Sequence, residues 1–134
     1  MCVGMAIAYR KMEGERRIFV ENEIMQIIVY AGNARSLAMQ SIQAAKKGQQ
    51  QAAAQAMKEA DTHLKEAHHT HAHILSTAAD ENKSVELTLF MVHGEDHLMS
   101  AVTTIDLAKE ILGVHDELKE IRAEVQQIKK GEGK

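Results

Sequence analysis

The sequence contains 134 residues, with one cysteine, no proline or tryptophan, and a formal net charge of -3. Interspersed charges of both signs argue against nucleic-acid binding and against attachment to an anionic membrane, and no apolar run is long enough to span a bilayer. Abundant Ala, Gln, Glu, Lys, Leu and Met predict a single all-α domain with an aliphatic core. The lone Cys2 and the lack of a signal-peptide cleavage pattern predict a cytoplasmic protein without direct membrane insertion.

Residues 1–17 show no sustained periodicity and are predicted to form a mobile N-terminal extension. A first helix is predicted over residues 19–47, because apolar residues recur there at spacings of three and four. Gly48 tolerates a positive φ angle and is predicted to end this helix. The expected buried stripe consists of Ile24, Ile27, Ile28, Ala31, Ala34, Ala38, Ile42 and Ala45.

A second helix is predicted over residues 49–79 by the same spacing. Its expected buried stripe consists of Ala53, Met57, Ala60, Leu64, Ala67, His71, Ile74 and Ala78. Four histidines crowd the end of this helix. His68 and His71 lie nearer the buried side and are candidates for the wall of a site, whereas His69 and His73 are interpreted as a solvated pair.

A polar connector over residues 80–84 separates the second helix from a third, which is predicted over residues 85–130. Ser84 is the expected cap of the third helix. Three helices joined by short connectors predict an antiparallel up-down-up bundle with a long C-terminal helix.

The C-terminal half of the third helix has the clearest periodicity in the chain. Apolar residues alternate there at spacings of four and three: Leu107, Ile111, Val114, Leu118, Ile121, Val125 and Ile128. This heptad pattern predicts a coiled coil between chains over residues 113–134, with a frayed end. Ile and Val at position d favour three strands over two. The alternative is that the stripe packs on the bundle of its own protomer.

Charges flanking the repeat favour a parallel arrangement. Glu117 and Glu124 occupy position g, and Arg122 and Lys129 occupy position e of the next heptad. Opposite charges at these positions pair between parallel neighbouring helices.

Two histidines near the start of the third helix, His93 and His97, enclose the carboxylates Glu95 and Asp96. Side chains at i and i+4 project from consecutive turns, so the two imidazoles lie one above the other. The residues alone leave three interpretations open: a phosphate-accepting histidine with supporting groups, a metal site, or a solvated polar turn.

Three segments resemble the enzyme IIA component of the lactose/cellobiose class of the bacterial phosphoenolpyruvate-dependent sugar phosphotransferase system. They are Tyr-Ala-Gly-Asn-Ala-Arg-Ser at residues 30–36, Ala-His at residues 67–68, and His-Gly-Glu-Asp-His-Leu-Met at residues 93–99. The resemblance covers about residues 18–112 and implies a three-helix domain that assembles as a homotrimer. The heptad pattern predicts three strands independently.

The resemblance implies a phosphoryl relay. His93 would accept phosphoryl from the phosphocarrier HPr and pass it to a cysteine of the IIB protein, for disaccharide uptake through the membrane IIC permease. A neutral imidazole nitrogen is a good nucleophile near neutral pH. His97 and His68 would donate hydrogen bonds to the phosphoryl oxygens, and Glu95 is counted with them as a site residue.

The resemblance also implies that Asp96 of three protomers binds one divalent cation on the trimer axis. Asp96 lies 11 residues, about three helical turns, before Leu107 and therefore on the side of the heptad stripe. Three carboxylates in a ring repel one another unless a cation or protons neutralise them. Six carboxylate oxygens suit Mg²⁺, which is the expected ion.

The chain departs from the family pattern at a few positions. The family usually has Gln at Glu95, Gln-Thr at His71-Ala72, and Asp at Asn33. A carboxylate at position 95 would oppose an incoming phosphoryl group unless it turned outward or paired with a nearby imidazole.

The added imidazoles support an alternative from a different class: a helical His-rich protein that binds Zn²⁺ or Ni²⁺ without phosphoryl transfer. Its ligands would be His68, His71, His93 and His97. A third hypothesis is an oligomerisation module whose C-terminal coiled coil is itself the function.

Overall fold

The computed structural model describes residues 16–18, 20–81 and 83–131. In chain order the elements are β1 (Arg16–Ile18), α1 (Glu21–Lys46), α2 (Gln50–Ala78), β2 (Lys83–Val85) and α3 (Leu89–Gly131). Three helices make up nearly all of the described chain, so the predicted all-α class is confirmed. Residues 1–15 of the predicted N-terminal extension lie outside the described residues, and its last two residues belong to β1. No helix in the described ranges is both long and apolar enough to cross a membrane.

Helix α1 is central, since it packs against both α2 and α3, whereas α2 and α3 share fewer contacts. Its predicted stripe is largely confirmed. Five of its buried residues have small side chains, four alanines and Ser41, which lets neighbouring helices approach closely. The residues of α1 that the structure buries are Ile24, Ile27, Ala31, Ala34, Ala38, Ser41 and Ala45.

The turn after α1 confirms the predicted stop at Gly48, whose φ angle is 75°. The Gly48 N–H donates to the carbonyl of Ala45, and the Gln49 N–H donates to the carbonyl of Ala44. These two bonds form a Schellman motif, which satisfies carbonyls that the helix end would otherwise leave unpaired. A glycine suits this position because residues with a Cβ atom rarely adopt the left-handed conformation.

Two contacts show how α1 and α2 run relative to each other. The Ser41 hydroxyl donates a 2.7 Å hydrogen bond to the carbonyl of Ala53. Farther from the turn, the ring centroids of Tyr30 and His63 are 5.8 Å apart. Residue numbers therefore fall along α1 as they rise along α2. Ser41 is buried and was not predicted in the core, but this hydrogen bond offsets the cost of burying its hydroxyl.

Helix α2 buries most of its predicted stripe, with a shift at its end. Thr77 is buried where Ala78 was expected, and His71 is only partly buried. The remaining buried residues of α2 are Ala53, Met57, Ala60, Ala67 and Ile74.

The connector before α3 differs from the prediction. Residues 83–85 form strand β2, which pairs in parallel with β1, so Ser84 does not cap a helix. Helix α3 begins at Leu89, and the Met91 N–H donates to the Thr88 hydroxyl at 3.1 Å, the geometry of an N-cap bond. Strands of three residues are too short to show an alternating pattern, so this strand pair could not be predicted from periodicity.

Helix α3 changes character along its 43 residues. Its N-terminal part buries Gly94, Leu98, Ala101, Ile105 and Ala108. Every residue from 116 to 131 is exposed. The bundle core therefore ends about halfway along α3, and the remainder of the helix extends beyond it.

Candidate functional site

Gly94 sets the position of the His93 segment against the bundle. A Cβ atom built on Gly94 would lie 2.9 Å from the Cγ2 atom of Ile24, closer than side chains normally approach. Ile24 is 2% exposed, so its side chain has little room to move. The glycine between the histidine and the carboxylates thus permits close contact of α3 with α1. This contact fixes the distance between α3 and α1 at the turn that carries His93.

His93 and His97 lie on that outer face. Their ring centroids are 4.6 Å apart and the rings are nearly perpendicular, with an interplanar angle of 84°. His93 is exposed and His97 is partly buried. The predicted stacking of the two imidazoles on consecutive turns is therefore present. An exposed imidazole beside a second, partly buried imidazole can accept a group from a large partner while the second ring donates a hydrogen bond.

Glu95 points to α2 and forms an ion pair there. Its Oε1 atom lies 2.8 Å from Nε2 of His71. The two side chains are 36% and 20% exposed, respectively, so water screens the pair only in part. His71 carries a positive charge in this pair only when it is protonated. The contact holds the carboxylate of Glu95 at α2. Pairing of Glu95 with a nearby imidazole was one of the two arrangements expected from the sequence.

Asp96 is exposed on α3 and forms no hydrogen bond or ion pair with another described residue. Carboxylate oxygens are ligands that Mg²⁺ prefers. Asp96 contributes only one carboxylate per chain, however, and no group of three or more His, Cys, Asp or Glu residues within the described ranges is arranged to hold a metal ion.

The other histidines do not join the His93 face within one protomer. His68 is exposed on α2 and makes no ring contact or hydrogen bond with His93 or His97 among the described residues. His69 and His73 are exposed, as expected for a solvated pair. The alternative of a transition-metal site built from the histidines of two helices is therefore not supported.

Three features of the site region escaped sequence reasoning. The Thr88 cap was missed because Ser84 offered a similar signal four residues earlier. The specific partner of Glu95 depends on the packing of α2 against α3, which spacing within one helix does not reveal. The need for Gly94 also comes from a neighbouring helix, although a glycine inside a helix costs about 1 kcal/mol and is itself a signal of close packing.

Comparison with known proteins shows which family this chain matches. Residues 22–116 match the family model of the lactose/cellobiose-specific IIA subunit of the phosphotransferase system (PTS). The lichenan-specific phosphotransferase enzyme IIA component of Bacillus subtilis is 41% identical over 103 residues, covering 77% of this chain and 93% of that protein.

Two solved structures agree with this match. The PTS cellobiose-specific enzyme IIA from Bacillus anthracis has a TM-score of 0.72 at 35% identity, covering 77% of this chain and 94% of that one. The IIA(Chitobiose) chain of the Escherichia coli IIA(Chitobiose)-HPr complex has a TM-score of 0.65 at 32% identity, covering 76% and 98%. The chain belongs to the lactose/cellobiose-specific IIA subunits of the PTS.

Proposed function

We propose that this protein is a cytoplasmic phosphoryl carrier of a sugar transport system, and that His93 is its carrier residue. The observation that carries the proposal is the pair of adjoining imidazoles on the exposed face of α3, His93 and His97, with ring centroids 4.6 Å apart. Family membership supplies the reaction class, and the solved complex of a related IIA protein with HPr supports HPr as the donor.

In the proposed reaction, a ring nitrogen of His93 attacks the phosphorus atom carried by HPr. The bond between phosphorus and HPr breaks as the new N–P bond forms. In the second step, a cysteine sulfur of a IIB protein attacks the same phosphorus and His93 leaves as neutral imidazole. The IIB protein then phosphorylates a disaccharide that the IIC permease imports. A phosphoramidate is labile enough to pass the group onward.

The neighbours of His93 are proposed to stabilise the negative charge of the phosphoryl group and to neutralise that of Glu95. His97 donates a hydrogen bond to the phosphoryl oxygens, which stabilises the charge on the transferring group. His68 makes no ring contact or hydrogen bond with either imidazole in the described protomer, so it contributes a second donor only where assembly brings it to the site. His71 neutralises Glu95 when it is protonated and holds the carboxylate at α2. The phosphoryl group then enters a less repulsive field.

The protomer is proposed to be an antiparallel up-down-up bundle that assembles as a homotrimer. Contacts of α1 with α2 support the first reversal of direction. The pairs His71–Glu95 and Asp61–Lys109 support the second, because residue numbers fall along α2 as they rise along α3. Exposed apolar side chains on α1 and the N-terminal half of α3 support an interface between copies. They include Met25, Val29, Val92, Met99 and Leu107.

Asp96 fits a divalent cation at the axis of that trimer. Its carboxylate is exposed, has no ion-pair partner among the described residues, and lies on the same face of α3 as the exposed Val92 and Met99. Three copies provide six oxygen atoms, a donor set that suits Mg²⁺. The ion would neutralise three carboxylates that otherwise repel one another.

The relay is tested by labelling. Enzyme I, HPr and labelled phosphoenolpyruvate are incubated with wild type, His93→Ala and the control variant His69→Ala, and the mixture is quenched under alkaline conditions that preserve phosphohistidine. We expect label on wild type and His69→Ala and none on His93→Ala. Because His93 is exposed, its replacement should leave helicity and thermal stability unchanged.

Label retained on His93→Ala would place the carrier residue elsewhere. Absence of label from wild type, beside a competent IIA control in the same mixture, would overturn the phosphoryl-transfer function.

The cation is tested separately, by calorimetric titration of Mg²⁺ into metal-depleted wild type and Asp96→Asn. One ion bound per three chains in wild type and none in the variant is expected. Equal binding by both proteins would remove Asp96 from the site.

A further inference from the structure

A cleft lies between the turn that joins α1 to α2 and the C-terminal part of α3. Its volume is about 490 Å³. The end of α1 and the start of α2 form one wall, and the turns of α3 between residues 115 and 126 form the other. Ligand sites in proteins have volumes of about 300–1,000 Å³, so this cleft is large enough to hold a small molecule.

Positive charge converges on the cleft from two helices. Lys46 lies on α1, whereas Lys119 and Arg122 lie on α3, and none of the three forms an ion pair with another described residue. None of the described residues that line the cleft is acidic. The whole chain has a formal net charge of -3, so overall composition does not explain three unpaired cations at one place. A concave surface with charge of one sign attracts a ligand of the opposite sign.

Carboxylates on the same helices do not compensate these cations. Side chains three or four residues apart on a helix are neighbours, and neither Lys46 nor Arg122 has an acidic residue at those spacings. Asp116 precedes Lys119 by three residues, but the two form no ion pair, and Asp116 lines a neighbouring hollow. A cation in the last turn of α1 is favourable for the helix dipole. This effect accounts for Lys46 alone and gives no reason for two cations of α3 to face it.

The start of α2 adds backbone N–H donors beside the same cleft. The first backbone hydrogen bond of α2 runs from the Ala53 N–H to the Gln49 carbonyl, so the N–H groups of residues 50–52 have no partner within the helix. Gln49 forms no capping hydrogen bond through its side chain, and the first turn contains no acidic residue. A second hollow over residues 48–52 shares Gly48 and Gln50 with the cleft. Anions bind readily at helix ends of this kind, which reinforces the attraction of the cations.

The uncharged part of the lining indicates which class of anion fits. Gln50 and Gln126 carry amide groups that both donate and accept hydrogen bonds, as hydroxyl groups require. None of the described lining residues is Phe, Tyr or Trp, so the cleft offers no such ring on which a nucleobase would stack. Inorganic phosphate alone would leave the two amides without a ligand partner. The lining therefore favours a phosphate joined to a sugar over a nucleotide or a bare anion.

The cleft is remote from the histidine pair and from the apolar stripe of α3. Residues 93 and 119 are 26 positions apart, which corresponds to about 39 Å along a straight helix. Lys119, Ala123 and Gln126 occupy positions b, f and b of the heptad repeat, on the side of α3 away from positions a and d. A ligand in the cleft therefore neither touches the group at His93 nor covers the stripe.

We propose that this cleft binds a sugar phosphate. Lys46, Lys119 and Arg122 hold its phosphate group, and the amides of Gln50 and Gln126 bond to its hydroxyl groups. A guanidinium group donates two parallel hydrogen bonds to phosphate oxygens, and each ammonium group adds a positive charge. The three cations are exposed, so dissolved salt screens them and binding weakens as ionic strength rises.

Calorimetric titration of glucose 6-phosphate into the full-length protein at low salt tests the proposal. The double variant Lys119→Gln/Arg122→Gln is compared with Lys129→Gln/Lys130→Gln, which removes two charges from exposed positions of the same helix outside the cleft. The first variant is expected to weaken binding about tenfold or more, and the second less than about twofold, because only the first loses charge-assisted hydrogen bonds. Equal weakening in both, or no binding by wild type at millimolar concentration, would overturn the proposal.

Further titrations with glucose, inorganic phosphate and AMP test the ligand class. Glucose is expected not to bind, because the cations have no partner on it. Inorganic phosphate and AMP are expected to bind about tenfold more weakly than glucose 6-phosphate, since one lacks hydroxyl groups and the other carries a base with no ring to stack on. Binding of either as tightly as glucose 6-phosphate would refute the assignment to a sugar phosphate.

Amide chemical shifts of the isotope-labelled protein locate the bound glucose 6-phosphate without any substitution. The largest changes are expected at residues 50–52 and between residues 115 and 126. Largest changes around His93 and His97 would place the phosphate at the proposed carrier residue and contradict a separate site. None of these measurements requires phosphoryl transfer, so their outcome is distinct from that of the labelling of His93.

Discussion

The two parts of α3 belong to one helix but are stabilised in different ways. Residues 89–108 are held by contacts with α1 and α2, and Leu98, Ala101 and Ile105 are fully buried there. Residues 116–131 have no buried side chain in the protomer. The bundle therefore stabilises the first part, whereas the heptad repeat of the second part packs on nothing in its own protomer. Burial within one protomer identifies the important apolar residues of the first part and overlooks those of the second.

The largest expected difference between the two parts is in how a truncated isoleucine affects unfolding. Ile105→Ala leaves a cavity in the core and is expected to lower the free energy of unfolding by about 2–5 kcal/mol at every protein concentration. If the protein is the proposed homotrimer, Ile121→Ala is expected to have an effect that varies with concentration, because the partners of Ile121 would lie on other chains. Chemical denaturation at two concentrations measures both. If Ile121→Ala lowered the free energy of unfolding equally at both concentrations, the two parts of α3 would not differ in how they are stabilised.

Gly94 in the first part and Gly113 just before the second part should respond in opposite directions. In Gly94→Ala the new methyl group meets Ile24, and overpacking of this kind costs about 1–3 kcal/mol, partly offset by about 1 kcal/mol of helix propensity. Nothing lies within 4 Å of a Cβ atom at Gly113, so Gly113→Ala is expected to stabilise the protein by up to about 1 kcal/mol. Thermal unfolding followed by circular dichroism compares them. Stabilisation by both substitutions would show that the Ile24 side chain moves aside to accommodate the new methyl group at little energetic cost.

The ion pair between Glu95 and His71 is expected to affect the rate of phosphoryl transfer more than stability. Glu95→Gln removes a negative charge near His93, the proposed phosphoryl acceptor, and is expected to speed labelling of His93 a few-fold, equivalent to about 1 kcal/mol. His71→Ala leaves the carboxylate without its partner and is expected to slow labelling. Single-turnover transfer from phosphorylated HPr measures both rates. Changes in the same direction would mean that the pair acts on structure and not on charge.

The smallest effect is expected at the boundary between the two parts. The Nζ atom of Lys109 lies 2.8 Å from Oδ1 of Asp61, but both side chains are well exposed, at 47% and 37%. Exposed ion pairs contribute about 0–1 kcal/mol, so Lys109→Ala is expected to lower the free energy of unfolding by less than about 0.5 kcal/mol. Urea denaturation at low and high salt measures this contribution. A loss well above 1 kcal/mol would show that the boundary of the bundle depends on this contact.

Sequence periodicity predicted most of the fold because burial along a helix repeats every three to four residues. The stripe of α1 and the stop at Gly48 follow directly from this rule. The same rule could not predict the start of α3, since the strand at residues 83–85 is too short to interrupt a pattern. It also could not place Ser41 in the core, because its burial depends on a carbonyl supplied by another helix.

The site was predictable to a similar degree. The spacing of His93 and His97 within one helix predicted their adjacency, and the structure shows it. Contacts between helices were not encoded in any local pattern. His71 contacts Glu95, whereas His68 contacts neither His93 nor His97. Both outcomes depend on how α2 packs against α3, which is a property of the folded bundle.

The length of α3 also separates two ends of the molecule in space. Residues 93 and 131 are 38 positions apart, which corresponds to about 57 Å along a straight helix. A small domain is about 30 Å across, so a protein docked at His93 would not reach the C-terminal end. A fluorophore, an affinity tag or a solid support attached there would leave the face with His93 and His97 accessible, and the end of the helix is a natural point for building tethered assemblies.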